Sequence, residues 1–373
     1  MKFSINRDAF LAPLQFVAGV VERRHTLPIL SNLLLCLDSD GLQLVGSDQE
    51  VELVANIADV EIILEGQITV PARKLIDICR SLRVGAMLDC ELVGTHFQVN
   101  SGRYRSQLGT LPAEDYPCIE IEETAVPIRM QSSVLSDLLL KTSFAMAQQD
   151  VRYFFNGMLL LVSVDGVVAV ATNGQRLATT LSEVMAVTDL SESEDILGGY
   201  IVPRKGVLEL SKSLRNDDSE VRLFFSANHL RVVSDAGTVT TKLIDATYPD
   251  FEAAIPKVND NVVFIDRLDL KEALTRTAIL SNETYRNIRL VITRNNIQIE
   301  ANNPSQEEAE ENITVDYDGL DLDIGFNVEY LIDALSVMKG DRVSMAFSDA
   351  SAAVLLSDPD STTSRYVVSP MIL

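Results

Sequence analysis

Apolar positions recur at helical spacing in three short segments that resemble one another: Pro71–Leu82 (PARKLIDICRSL), Pro203–Leu214 (PRKGVLELSKSL) and Asn327–Met338 (NVEYLIDALSVM). Leu75, Ile78, Cys79 and Leu82 form one stripe in the first, and Val207, Leu210 and Leu214 in the second, as an amphipathic helix requires. Pro71 and Pro203 stand where a first helical turn tolerates proline. A second set of helical patterns opens each third of the chain, at Arg7–Val21, Ser132–Ala147 and Asp266–Leu280. Alternating segments between them predict strands, among them Leu33–Leu37, Leu42–Val45, Met158–Val162, Val167–Ala171, Leu290–Ile292 and Ile297–Ala301. The closing hairpins also correspond, and Pro112, Pro249 and Pro370 are expected to end them at equivalent points. Matched order at near-equal spacing predicts one α+β unit written three times, over residues 1–125, 126–255 and 256–373.

A chain of 373 residues, 47% of them hydrophobic, can bury several cores. It has no apolar run of about 18 residues and does not begin with a basic segment followed by an apolar one, so a soluble, cytoplasmic protein with no membrane partner is expected. Cys36, Cys79, Cys90 and Cys118 lack the close pairing of metal or redox motifs. Reduced thiols, no metal and no cofactor are the expectation. The net charge of −23 argues at first against nucleic acid. Its distribution changes that picture, because the helical segments together are net positive and the excess acid lies elsewhere. Arg73, Lys74, Arg80, Lys205, Lys212 and Arg215 occupy polar helix faces. Such faces suit sequence-independent phosphate contacts, although Lys and Arg also favour exposed helix faces for their own sake.

Size sharpens the expectation. A domain of about 125 residues has a radius of gyration of roughly 14 Å and a diameter of roughly 35 Å. Three such spheres in a ring leave a hole of about 5 Å and six leave about 35 Å, against a duplex roughly 20 Å across. Encircling DNA therefore calls for a dimer.

The runs TLPILSNLL (26–34), VPARKLIDICR (70–80), QQDVRYFFNGML (148–159), ATNGQRLA (171–178), VPRKGVLEL (202–210), ILSNE (279–283), ANNPSQEEAEE (301–311), IGFNVEYL (324–331) and the closing YVVSPMIL are similar to the bacterial DNA sliding clamps, the β subunits of DNA polymerase III. The resemblance extends from Met1 to Leu373. It implies three clamp domains, helices inside and antiparallel sheets outside, and a head-to-tail dimeric ring around duplex DNA. It also implies a clamp loader, a replicative polymerase and other motif-bearing proteins as partners. Arg24, Gln149 and Tyr153 match family positions that touch DNA. So does Phe154, which stands for a tyrosine and lacks its hydroxyl; Arg73, Arg80 and Lys205 join them from the helix faces.

For the dimer seam the resemblance implies apolar contacts by Leu108, Ile279 and Leu280, with Lys74, Arg103 and Arg105 facing Glu307, Glu308 and Glu311. Ser106 and Ser305 replace a family aromatic and a carboxylate, which implies a weaker or repacked seam. For a pocket that takes short linear motifs it implies Thr172, Gly174, Arg176, Leu177, Pro249, Val367, Val368, Pro370 and Met371. Phe155, Gln175, Ala254, Ser369 and Ile372 depart there from the close relatives and should alter its shape. The stretch 182–195, longer than usual for the family, carries five acids and no base and reads as a mobile loop.

Two rivals weigh against this reading. An enzyme finds little support: His25, His96 and His229 fit no HExxH spacing, and Walker A, GxGxxG and GxSxG motifs are lacking. The paired acids of Gly46–Glu50 (GSDQE) recur in position as ATNGQ and ANNPS, which predicts a structural turn. A peptide-binding scaffold that never surrounds DNA would share the pocket but would need neither basic helices nor a matched seam.

Overall fold

A computed structural model describes residues 1–22, 26–119, 127–163, 166–182, 198–257 and 261–372. Arg24 and almost all of the acidic 182–195 stretch lie outside these residues. The first third runs β1 (Lys2–Asn6), α1 (Arg7–Val17), β2 (Asn32–Asp38), β3 (Gly41–Ser47), β4 (Val51–Ile57), β5 (Glu61–Leu64), β6 (Gly66–Pro71), α2 (Ala72–Ser81), β7 (Met87–Val93), β8 (His96–Ser101) and β9 (Tyr104–Gly109). The second runs β10 (Ile128–Gln131), α3 (Ser132–Thr142), β11 (Gly157–Ser163), β12 (Gly166–Thr172), β13 (Arg176–Leu181), β14 (Gly198–Pro203), α4 (Arg204–Ser213), β15 (Glu220–Phe225), β16 (His229–Ser234) and β17 (Gly237–Lys242). The third repeats the order as β18 (Asn261–Asp266), α5 (Arg267–Ala278), β19 (Asn287–Thr293), β20 (Asn296–Asn302), β21 (Glu308–Thr314), β22 (Leu322–Asn327), α6 (Val328–Val337), β23 (Arg342–Phe347), β24 (Val354–Ser357) and β25 (Ser364–Val368).

The described residues pack as two compact units, and the second repeat is shared between them. One unit takes the described residues of 1–136 and 205–243, the other those of 137–182, 198–204 and 244–372. The first unit holds a five-stranded sheet, β5-β1-β7-β8-β9, and an eight-stranded sheet, β10-β15-β16-β17-β4-β3-β2-β6. The second holds an eight-stranded sheet, β14-β11-β12-β13-β25-β24-β23-β18, and a four-stranded one, β21-β20-β19-β22. All the pairings are antiparallel. In each unit the third strand after the repeat's first helix pairs with the last strand of the following repeat: β4 with β17 and β13 with β25.

Helix starts follow local capping chemistry. Asn6, Asp266 and Asn327 accept hydrogen bonds from the exposed N–H groups of α1, α5 and α6. The apolar stripes are buried as the spacing predicts: Phe10, Leu14 and Val17 on α1, and Ala72, Leu75, Ile76 and Cys79 on α2. Three expectations need correction. The first helix of each repeat is shorter than its pattern, ending at Val17, Thr142 and Ala278; 3₁₀ turns, Ala18–Val20 and Ser143–Ala145, follow the first two. Pro71 and Pro203 are the last residues of β6 and β14, one step before the helix. The closing prolines are not equivalent. The fourth residue of β6, β14 and β22 pairs in turn with Leu111, Ile244 and Met371, by Thr69 N to Leu111 O (3.2 Å), Ile244 N to Ile201 O (2.9 Å) and Met371 N to Gly325 O (2.8 Å). Backbone register therefore aligns Pro249 with the Tyr116–Pro117 step, and Pro112 and Pro370 fall on either side of the pairing point.

Candidate functional site

A short turn closes each of β3, β12 and β20. Asp48 Oδ1 accepts from Glu50 N (2.9 Å) and Val51 N (2.7 Å), Asn173 Oδ1 from Gln175 N (2.9 Å) and Arg176 N (3.0 Å), and Asn303 Oδ1 from Ser305 N (3.0 Å) and Glu307 N (3.1 Å). A carboxylate or amide folded onto its own backbone serves the turn, which answers the paired acids of GSDQE. In the second turn Gly174 adopts φ +88°, and a Cβ there would meet Arg152 Nη1 at 3.0 Å. Glycine is demanded by both conformation and space.

This turn delivers β13 to β25. Arg176 pairs with Val368 and Leu177 with Val367, and Ser369 N continues the ladder to Gln175 O at 2.8 Å. Paired residues share a sheet face and neighbours alternate. Leu177 and Val367 accordingly enter one apolar cluster with Leu159, Val170, Ile201 and Ile255, capped by half-buried Phe154, Tyr248 and Phe251. Phe155 is buried under Arg152, whose guanidinium lies 4.7 Å from the ring centre, and packs on Phe154 (4.7 Å) and Tyr248 (6.0 Å). Pro249 and Ala254 are exposed near this patch, while Pro370 and Met371 are half-buried where the tail crosses from β25 to β22.

Arg176 and Val368 occupy the opposite face of the sheet. The Arg176 guanidinium stands 4.5 Å from the Tyr330 ring and 5.3 Å from the Phe144 ring, and Nη1 reaches Asp333 at 2.6 Å. Thr172 Oγ1 donates to Arg176 O (2.6 Å), and the Tyr330 hydroxyl donates to Gln175 Oε1 (2.9 Å). Of the residues expected in the pocket, Leu177, Val367, Phe155 and the tail surround one apolar surface, and Arg176, Val368 and Gln175 brace it from behind. Arg152, Phe144, Tyr248, Tyr330 and Asp333 belong to the same construction and went unassigned in the sequence. Tyr330 and Asp333 stand three apart on α6, a spacing that marks one helix face.

The residues expected to touch DNA are distributed over both units. In the first, Arg73 and Arg80 are exposed on α2 and line a groove of about 250 Å³ with Ala18, Val21, Ile76 and Asp77. Lys205 is not free: its ammonium bonds Glu22 Oε1 at 2.9 Å and also Asp48. Burial opposes its charge, yet the two carboxylates outweigh burial and hold its pKa above the ordinary value. In the second unit Gln149 has φ +57°, and the loop around it is pinned by Asn156, which accepts from Asp150 N and donates to Asp150 O, both at 2.9 Å. Val151 and Tyr153 project from this loop, 95% and 57% exposed. Bidentate pairing with Arg152 holds the Asp150 carboxyl down at about 2. Phe154 turns instead into the apolar cluster beside Tyr248, where ring burial rewards a side chain without a hydroxyl.

For the seam, Leu108 is buried opposite Phe97, with Arg103 and Arg105 exposed at β9, an outer strand of its sheet. Lys74 is exposed on α2. In the other unit Ile279 is 75% exposed and Leu280 half-buried after α5. Glu308 is exposed on β21, again an outer strand. Glu311 is engaged within its own chain by Arg276 (2.6 and 3.1 Å), and Glu307 accepts from Asn303 Nδ2 at 2.6 Å.

Three tandem β–α–β units, with strand pairing that carries each repeat into the next, define a protein of the clamp-domain class. The chain belongs to the DNA polymerase III beta subunit family. Its N-terminal, central and C-terminal domain models match residues 1–120, 129–250 and 252–372. The chain is 48% identical to the beta sliding clamp of Pseudomonas putida and 41% identical to that of Escherichia coli K12, in both cases over 100% of each chain. It superposes on the crystal structure of DNA polymerase III subunit beta from Pseudomonas aeruginosa with a TM-score of 0.95 at 46% identity, again covering 100% of each chain. A sliding clamp of that organism bound to griselimycin matches with a TM-score of 0.92 at 46% identity. Among the described residues no helix is long and apolar enough to cross a membrane.

Proposed function

We propose that two copies of this chain close head to tail around duplex DNA and act as a non-catalytic processivity factor in the cytoplasm. They tether a replicative polymerase, a clamp loader and other proteins through the apolar surface beside Leu177 and Val367. One observation carries the reading. Within the chain β4 pairs with β17 and β13 with β25, while the third member of each series, β21, and the first closing strand, β9, remain outer strands. Pairing β21 of one copy with β9 of another continues the same rule. Their charges suit this, since β9 carries Arg105 with Arg103 just before it, and β21 opens on Glu308. Such a heterologous contact closes once two copies complete the rotation.

The domains are taken as residues 1–125, 126–255 and 256–373. Arg73 and Arg80 on one unit, and Gln149 and Tyr153 on the other, are assigned to phosphate and sugar contacts without base readout. Arg24 is assigned with them on the family resemblance. The griselimycin-bound relative supports a ligand pocket in this family. Retention on DNA tests the mechanism: loaded protein stays on a closed circle and leaves once the circle is cut. Equal retention on circular and linear DNA would refute encirclement.

A further inference from the structure

The repeat rule that builds the apolar surface on β13 and β25 also builds a counterpart on β4 and β17, and there the chemistry is inverted. Ser47 pairs with Glu52 as Thr172 pairs with Leu177, so Glu52 is the counterpart of Leu177. Glu52 pairs with Thr240 as Leu177 pairs with Val367, and Thr240 pairs with Arg231 as Val367 pairs with Leu355. Three apolar positions have become a carboxylate, a hydroxyl and a guanidinium. The segment after β9 crosses this face as the segment after β17 crosses the other. The Tyr116 hydroxyl accepts from Ser47 N (2.9 Å), and Glu52 Oε2 accepts from Ile119 N (2.9 Å).

Beside this segment lie two cavities. One, of about 290 Å³, is bordered by Glu52, Arg231 and Thr240, and the other, of about 430 Å³, by His229, Lys242 and Cys118. Among the described residues Arg231 Nε and His229 Nε2 are buried without a hydrogen-bond partner, an arrangement that costs free energy unless an acceptor arrives. His229 and Arg231 are two apart on β16, and Lys242 pairs with His229, so all three share one face. Among the described residues bordering these cavities the acid is Glu52, which accepts from the Ile119 N–H and interacts electrostatically with Arg231.

We propose that this face of the first unit is a second docking groove, for an extended peptide segment of a partner protein that presents carboxylates on alternate residues. Side chains two apart on a strand repeat at roughly 7 Å, in the donor row and in an extended peptide alike. Carboxylates meeting Arg231 and Lys242 form charge-assisted hydrogen bonds. The chain carries −23 overall, so its general field repels an acidic peptide, and saturable binding of one has to come from a local site.

The test uses the full chain and the N-acetylated, C-amidated peptide Asp-Ala-Asp-Ala, followed through the imidazole signals of the three histidines by NMR, with His229→Asn assigning the relevant one. A saturable shift of the His229 signal is expected, with His96 unmoved and no response to the Asn-Ala-Asn-Ala control. Arg231→Gln should weaken binding about tenfold, and Lys242→Ser, at an exposed position, should do so with an unchanged melting temperature. The proposal fails if the acidic peptide gives no saturable His229 shift at millimolar concentration. It fails equally if a folded Lys242→Ser variant binds as the parent does.

Discussion

Arg176 and Asp333 are joined by a 2.6 Å ion pair that fixes the start of β13 to α6. The guanidinium is largely buried between Phe144 and Tyr330, so the pair works with two ring contacts and not as a lone surface bridge. Arg176→Met should cost about 3 kcal/mol or more in urea unfolding, from the lost charged hydrogen bonds to Asp333 and to the Phe144 carbonyl and from the ring contacts. Arg176→Lys should recover little, because an ammonium cannot stack flat between two rings. A loss below about 0.5 kcal/mol for the methionine variant would show that the turn before Leu177 stands without it.

Deleting residues 370–373 should separate binding from folding. The deletion removes one backbone hydrogen bond, Met371 N to Gly325 O, worth about 1 kcal/mol, along with half-buried Pro370 and Met371. The melting temperature should fall by no more than about 4 °C. Affinity for a fluorescent pentapeptide with two apolar anchors should fall at least about tenfold, since such anchors contribute roughly 3–6 kcal/mol before ordering costs. Unchanged affinity would remove the tail from the pocket.

The repeat was legible because it rests on apolar spacing, which survives sequence drift: Leu75 and Cys79, or Leu270 and Leu274, lie where burial demands them. Strand partners across repeats were not legible, since nothing near Glu52 or Leu177 in the chain announces Thr240 or Val367. That is why spacing alone aligns Pro112 with Pro249, whereas register matches Leu111 to Ile244. Charge misled in the same way. Lys205 reads as a helix-face cation, but Asp48 and Glu22, far away in sequence, neutralise it. Phe154 sits in a family motif, and its contacts with Phe155 and Tyr248 appear only when the sheet is assembled.

Glu52 offers a test in pH. Burial raises its pKa above the ordinary carboxyl value, outweighing the Ile119 N–H and Arg231, which lower it. A folded-state pKa above the unfolded one means that protonation favours the fold. The contribution is complete below the unfolded value and is lost as pH rises through the folded one. Near neutral pH the ionised side chain is therefore a cost, and Glu52→Gln keeps an acceptor for Ile119 N without the charge. The variant should melt above the parent near pH 7, with the difference shrinking toward pH 4. A pH-independent difference would place the effect in packing.

The seam is tested most directly through Ile279 and Leu280. A 75% exposed isoleucine beside a half-buried leucine leaves apolar area that a partner strand would cover, at roughly 1.5–3 kcal/mol per side chain. A closed two-copy ring has two such seams, so Ile279→Ala with Leu280→Ala weakens both at once. At micromolar concentration the parent should sediment at twice 41.0 kDa and the double variant at 41.0 kDa. Charge should set the register: Arg105→Glu alone should dissociate the dimer, and adding Glu308→Arg should restore it, a reversal that only facing side chains produce. Because β9 and β21 lie in different units of one chain, each copy supplies one strand to each seam. A parent that sediments as a single chain, or a charge swap that fails to rescue, would dismiss the pairing of β9 with β21.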